Sequence, residues 1–419
     1  MVRHLFPWFW DRLKSIEDPR EEPRYTVAQI VCLGIVMFAC RIRSRRRLDL
    51  ESDDVQFRDN WCVFSRARSD TVICSKQMTN VLAKLSQDEI GGIRPDFLKE
   101  LIKNKQAQDL YLLGHVMMGA DGTGIFASSK FHCAQCLTQE HKDGSKTYLH
   151  NVLEIKALSP NGLALSVFTE PQLNPEDGKY DKQDCETKAF HRALPKLKAL
   201  FPREPIVYLL DALYCEGPIL RAIEACCQKF ICGFKRGCIP SLYDEALELR
   251  KLTPQNRITR TFTREGHRIV QVYTWVNGLQ YQDRTMDFVM CEETVDGKNT
   301  TFAFLTNFTV TEDNIETIAK GGRYRWKIEE GFNEQKTGYE LEHFCRCKDL
   351  DTMLNLYCLL QIAHLFMQLL ARSDLIQGVT HLAFLASLLL EAWRNLPLPE
   401  ELLDQNPPRC QIRFNKGPT

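Results

Sequence analysis

The chain has 419 residues, 44% hydrophobic and 26% charged, and its 54 Lys and Arg balance 54 Asp and Glu to a formal net charge of zero. This excludes a disordered or low-complexity chain and leaves enough apolar side chains for a sizeable core, spread over roughly two to four domains. Zero net charge counts against binding nucleic acid through overall basicity, but not against a basic face offset elsewhere.

The 17 cysteines are many and odd in number. No charged-then-apolar signal segment with a small-residue cleavage site is visible, so they read as reduced thiols of a cytosolic protein. The run "AQIVCLGIVMFAC" is 13 residues, short of the ~20 that a membrane span needs. "LNLYCLLQIAHLFMQLLA" carries Gln361, His364 and Gln368 and reads as a buried helix.

Residues 1–108 read as helical. Thr26 is a candidate N-cap for the apolar helix that follows, and "SKQMTNVLAKL" and "RPDFLKELIKNK" are amphipathic. Between the apolar helix and these two, "RIRSRRR" holds Arg41, Arg43, Arg45, Arg46 and Arg47. Such a run is either a solvated surface or a set of phosphate contacts. From residue 109 the period changes. "LYLLGHVMMGADGTGIF", "YLHNVLEIKALS" and "GLALSVFTE" read as three strands of an antiparallel meander, the last two joined by "PNG". A helix over "KQDCETKAFHRALPKLKALF", interrupted by Pro195, follows; then strand "PIVYLLDALY", helix "GPILRAIEACCQK" and strand "FICGFK". The order over 109–237 is β-β-β-α-β-α-β.

Alternation, β-branched residues and Asn-Gly and Asp-Gly pairs dominate 238–310, which reads as an all-β insertion. Residues 311–372 return to helix, with Thr311 as N-cap. A helix and polar tail occupy 373–419.

Asp121 is expected to end the first strand, and Asp211 the fourth. One such carboxylate is commonly a helix cap or a paired structural Asp; two, with Glu329 on a later helix, suggest a shared site. In "YRWKIEEGFNEQK", Glu329 lies four residues after Arg325 and seven before Lys336. At about 100° per residue all three share one helix face. The alternative is an exposed face of i,i+4 ion pairs. Converging carboxylates suit Mg²⁺ or Mn²⁺, and two such ions about 3.5–4 Å apart serve phosphodiester cleavage.

These features resemble the IS4-type bacterial insertion-sequence transposases of the DDE class. The Arg325/Glu329/Lys336 spacing matches that family's signature of Tyr, two residues, Arg, three residues, Glu, six residues, Lys. "DALY" after the second acidic strand and a β insertion before the Glu helix also look like the family, over roughly residues 20–372. The resemblance implies an α/β fold: a ribonuclease H-like mixed sheet flanked by helices, with an all-β insertion and a helical N-terminal DNA-binding domain. It implies Asp121, Asp211 and Glu329 as catalytic ligands of two Mg²⁺ (or Mn²⁺) ions. Arg325 and Lys336 would contact DNA, and a homodimer would pair the element's two ends. The setting would be a bacterial cytoplasm, at the nucleoid. A ribonuclease H-like nuclease or resolvase without strand transfer, and a non-catalytic DNA-binding protein, are the alternatives.

One position departs from the family: its Tyr falls on Gly322. A Tyr placed there is expected to restore a contact near the element end. Finally, Cys133-x-x-Cys136, followed by His141 and His150, suits half of a structural zinc site, with Cys345 and Cys347 as a candidate second half; the alternative is two reduced cysteines in a loop.

Overall fold

The computed structural model of the chain describes residues 1–66, 73–341, 349–376, 378–379, 381–399 and 412–414. Between residues 111 and 306 eleven strands form one mixed sheet. They are β1 Tyr111–Leu112, β2 His115–Ser128, β3 Leu137–Glu140, β4 Lys146–Leu158, β5 Ala164–Gln172, β6 Ile206–Leu210, β7 Lys229–Gly233, β8 Arg257–Arg264, β9 His267–Tyr281, β10 Arg284–Val295 and β11 Lys298–Thr306. The order across the sheet is β3-β4-β2-β6-β7-β11-β10-β9-β8, with β1 beside β2 and β5 beside β4. The expected meander is β2, β4 and β5, with the short β3 added.

β6 and β7 run parallel to β2. All five residues of β6, "IVYLL", are buried, as expected of a central parallel strand covered on both faces. Helix α9 (Glu186–Leu200) lies between β5 and β6, and α10 (Gly217–Ala225) between β6 and β7. The mixed α/β class and this element order agree with the sequence reading. Pro195 does not interrupt α9: it sits on the exposed side of the helix, where water can satisfy the carbonyl it leaves unbonded.

The region 238–310 is not all-β. Pro240–Leu252 is a helix, α11. Pro240 opens it, and Leu242 and Ala246, four apart, bury one face. Nor is the β part a separate sheet. β11 pairs antiparallel with β7, Leu305 opposite Cys232, so β8–β11 prolong the central sheet.

Among the described residues eight α-helices precede the sheet, from α1 (Val2–Leu5) and α2 (Phe9–Lys14) through α3 (Val27–Ala39), α4 (Arg45–Ser52), α5 (Val55–Ser65), α6 (Ser75–Leu82) and α7 (Gln87–Gly91) to α8 (Arg94–Lys103). Thr26 caps α3 in a reciprocal capping box with Gln29. After the sheet come α12 (Ile315–Tyr324), α13 (Trp326–Gly338), α14 (Leu350–Arg372) and α15 (Leu382–Asn395). α12 begins at Ile315 behind Asn314, not at Thr311. Thr311 instead opens a preceding turn, its carbonyl accepting from the Ile315 N–H at 3.1 Å.

All of α3 is buried, and it crosses α14 so closely that a Cβ on Gly34 would lie 2.6 Å from Leu359 Cδ1. One continuous apolar cluster includes Phe6, Ile30, Val116, Phe190 and Leu359. The N-terminal helices therefore share a core with the sheet and α14. α14 is long and apolar enough to cross a membrane, but 94% of its most apolar window is buried inside the protein. Its polar side chains are matched there: Gln361 with Gln335 at 2.9 Å, Gln368 with Ala164 O at 3.1 Å, and His364 Nε2 with Glu334 at 2.9 Å.

Candidate active site

β2 and β6 pair in parallel up to Gly119 and Leu209. Two residues further along each chain stand Asp121 and Asp211. Side chains alternate along a strand, so both aspartates keep the face of Gly119 and Leu209. Asp211 is the first residue beyond β6, and its Oδ1 accepts from the Leu213 N–H at 2.8 Å. Asp121 does not end its strand as expected, because β4 pairs with β2 as far as Ser128. It does lie just past the last residue that pairs with β6.

α13 packs over this end of the sheet, with Ile328 and Phe332 buried in the same cluster as Leu209. The packing brings in the conspicuous charges. Arg325 Nη2 donates to Glu329 Oε1 at 2.6 Å, and Arg325 Nη1 lies 3.9 Å from Asp121 Oδ2. The i,i+4 pair expected for a plain charged helix thus forms, but its arginine is only 11% exposed and also faces the strand carboxylate. Lys336 is exposed on the same helix.

A fourth carboxylate joins the group, and sequence reasoning passed over it. Glu186, the first residue of α9, meets β2 at Gly122. Tyr214 donates its hydroxyl to Glu186 Oε1. In the sequence Glu186 stands only within the run "KQDCETKAFHRALPKLKALF", which reads as a helix.

The electrostatics record the crowding. Asp121 is pushed up to about 7, first by burial and then by the charge of Glu186; Arg325 opposes the rise, and Glu329 and Asp211 add to it. Glu186 is also raised, chiefly by burial, while the hydroxyl of Tyr214 opposes. On β4, Lys156 is fully buried and pushed down to about 8, mainly by burial. Its Nζ lies 4.5 Å from the centre of the Phe332 ring and has no hydrogen-bond partner among the described residues. The site therefore gathers Asp121, Asp211, Glu186 and Glu329 against one guanidinium, with a buried lysine nearby. Arg325 Nη1 is itself buried without a hydrogen bond. Hard oxygen donors with too little positive charge suit a divalent cation of the Mg²⁺ type. The group is open rather than closed. Among the described residues, only Cys133, Cys136 and His150 form a candidate metal group whose ligand atoms all lie within 4.8 Å of one another.

The other sequence-predicted positions fall elsewhere. Arg41 donates from Nε to Gly338 O at 2.5 Å and stacks over Tyr339, so it secures the C-terminal end of α13. Arg43 is 3.7 Å from Glu340, and Arg47 binds Glu51 at 2.5 Å. Arg45 and Arg46 are exposed, with no ion pair among the described residues. Gly322 cannot carry the family's Tyr here: it is buried, and a Cβ on it would lie 2.3 Å from Phe304 Cε1. The expectation that a Tyr at 322 would add a DNA contact is therefore overturned, since the β11 ring fills that space. Cys133 and Cys136 lie in the β2–β3 loop beside His150 of β4. His141 stands apart, bonded to Thr147 at 2.8 Å. Cys345 and Cys347 lie outside the described residues. No protein-family model matches the sequence, and no curated protein matches it.

Proposed function

We propose that the chain is a DNA transposase of the kind found in IS4-type insertion sequences, built on a ribonuclease H-like core. It would cut phosphodiester bonds at the element's ends and join the freed ends to target DNA. The observation that carries this reading is the meeting of Asp121, Asp211 and Glu329, from two parallel strands and a later helix, with Arg325 among them.

Asp121, Asp211 and Glu329 would hold two Mg²⁺ or Mn²⁺ ions. Bound there, the ions supply Lewis-acid stabilisation of the phosphate and lower the pKa of an attacking water or 3′-hydroxyl. Arg325 pairs with Glu329 and faces Asp121. Exposed Lys336 offers an ammonium to a phosphate on the same helix. Trp326, 57% exposed beside Arg325, offers a face on which an unpaired base can stack. Two copies would act together on paired ends in a bacterial cytoplasm.

The test is end cleavage with Mg²⁺ or Mn²⁺, comparing wild type with Glu329→Gln. The variant keeps the shape of the side chain and removes its charge. A loss of ~10³-fold or more in cleavage, with near-normal DNA binding, is expected. Cleavage at the wild-type rate would leave Glu329 as a partner in surface ion pairs. A nuclease without strand transfer is the second reading. It is favoured by Gly322, whose place under Phe304 removes the family's end-gripping Tyr. Cleavage without joining to a target duplex would select it.

A further inference from the structure

We infer that Cys133, Cys136 and His150 form a zinc site, separate from the acidic site, with two thiolates and one imidazole as the ligands among the described residues.

The distances carry the argument. Cys133 Sγ and Cys136 Sγ are 3.7 Å apart. His150 Nε2 lies 3.4 Å from the first sulfur and 3.3 Å from the second. Tetrahedral Zn²⁺ with Zn–S near 2.3 Å and Zn–N near 2.0–2.1 Å has edges of about 3.8 Å between sulfurs and about 3.5 Å from sulfur to nitrogen. The three atoms therefore sit close to three corners of that tetrahedron. A disulfide does not explain them, since its sulfurs are about 2.05 Å apart.

The backbone holds the two cysteines in one tight turn. The Cys133 N–H donates to Cys136 Sγ at 3.3 Å, and the Cys136 N–H turns back to Cys133 O at 3.3 Å. His150 is 2% exposed and packs its ring beside Phe126. Its Nδ1 has no hydrogen-bond partner among the described residues, so packing and the Nε2 contacts orient the ring. Soft sulfur and imidazole donors select zinc over magnesium. Cys133 is exposed, and among the described residues no fourth ligand joins the three. The thiols of Cys232 and Cys238 behave differently: they donate to the carbonyls of Asp211 and Ala212, as protonated groups do.

The ion has a structural task. Asn174 donates to Cys136 O at 2.8 Å and accepts from the Asp184 N–H at 3.0 Å. Gln183 exchanges two hydrogen bonds with the backbone of Thr138. The cysteine loop is thereby tied to residues 174–184, the segment that leads into Glu186.

The test uses the full, tag-free chain reconstituted with Zn²⁺ and freed of excess metal. About one zinc per chain is expected in the wild type and in Cys238→Ser, because a tight site fills. Cys133→Ser, an exposed change that spares the core, should lose it, as should Cys136→Ser. Replacement of zinc by Co²⁺ in the wild type needs no variant to fold. It should give the strong visible bands of tetrahedral cobalt and a thiolate charge-transfer band. Less than about 0.2 zinc per chain without those bands overturns the inference. So does zinc retained equally in Cys133→Ser and Cys136→Ser.

Discussion

Glu186 reaches the acidic end of the sheet because residue 122 is a glycine: a Cβ there would lie 2.2 Å from Glu186 Oε2. Gly122 follows Asp121, so its missing side chain would have pointed to the opposite face of β2, where α9 lies. The helix thus delivers its carboxylate from behind the sheet.

Gly122→Ala is therefore expected to displace Glu186. The clashing atom is the far end of a flexible side chain, so the fold should survive with little change in melting temperature. Glu186→Gln removes the charge without that displacement. Both variants should slow metal-dependent cleavage by about 10- to 100-fold, the usual range for a group that supports a metal site. Single-turnover cleavage over a Mg²⁺ titration is the measurement. Wild-type behaviour in both variants would leave Glu186 as a hydrogen-bond partner of Tyr214 and nothing more.

The arginine run divides by structure, and the division can be measured. Arg41 binds the last turn of α13, so Arg41→Ala should lower stability by about 1–3 kcal/mol in urea unfolding. Arg45 and Arg46 are exposed and have no ion pair among the described residues, so their double Ala variant should leave stability unchanged. If they touch phosphate, it should weaken DNA binding and reduce the slope of log K against log salt by up to about 1.8, near 0.9 per phosphate contact. An unchanged slope would make the exposed part of the run a solvated surface.

Much of the site could be read from the sequence because its carriers are local. Asp211 follows an unbroken apolar run, which became β6. Arg325, Glu329 and Lys336 declare themselves by helical spacing within one segment. What stayed hidden depends on contacts between distant residues. Glu186 gains meaning only from Gly122, 64 residues earlier on a neighbouring element. Gly322 read as a missing side chain, but it is a seat for Phe304. Helix α11 was masked by the strand-rich stretch after it, although Pro240 with Leu242 and Ala246 at helical spacing was a signal. The continuity of β8–β11 with the main sheet rests on pairing between β7 and β11, which no local pattern encodes.

Asp121 should make stability depend on pH and on metal together. Its pKa in the folded protein is about 7, against an ordinary value of 3.8. A carboxyl raised on folding binds its proton more tightly in the native state. Its contribution to stability is then fully present below about pH 3.8 and is lost as pH rises through about 7. Asp121→Asn cannot ionise, so it escapes that loss. Without divalent metal, the variant should melt higher than wild type at pH 8, by on the order of 1–3 °C. The gap should close as pH falls toward 4. Added Mg²⁺ should reverse the order at pH 8, because the cation favours the ionised carboxylates that the variant lacks. The Mg²⁺-dependent rise in wild-type melting temperature should grow between pH 6 and 8, as Asp121 gives up its proton. A melting difference that ignored both pH and Mg²⁺ would mean that Asp121 does not titrate in the crowded group, and would remove the main electrostatic reason to place a cation there.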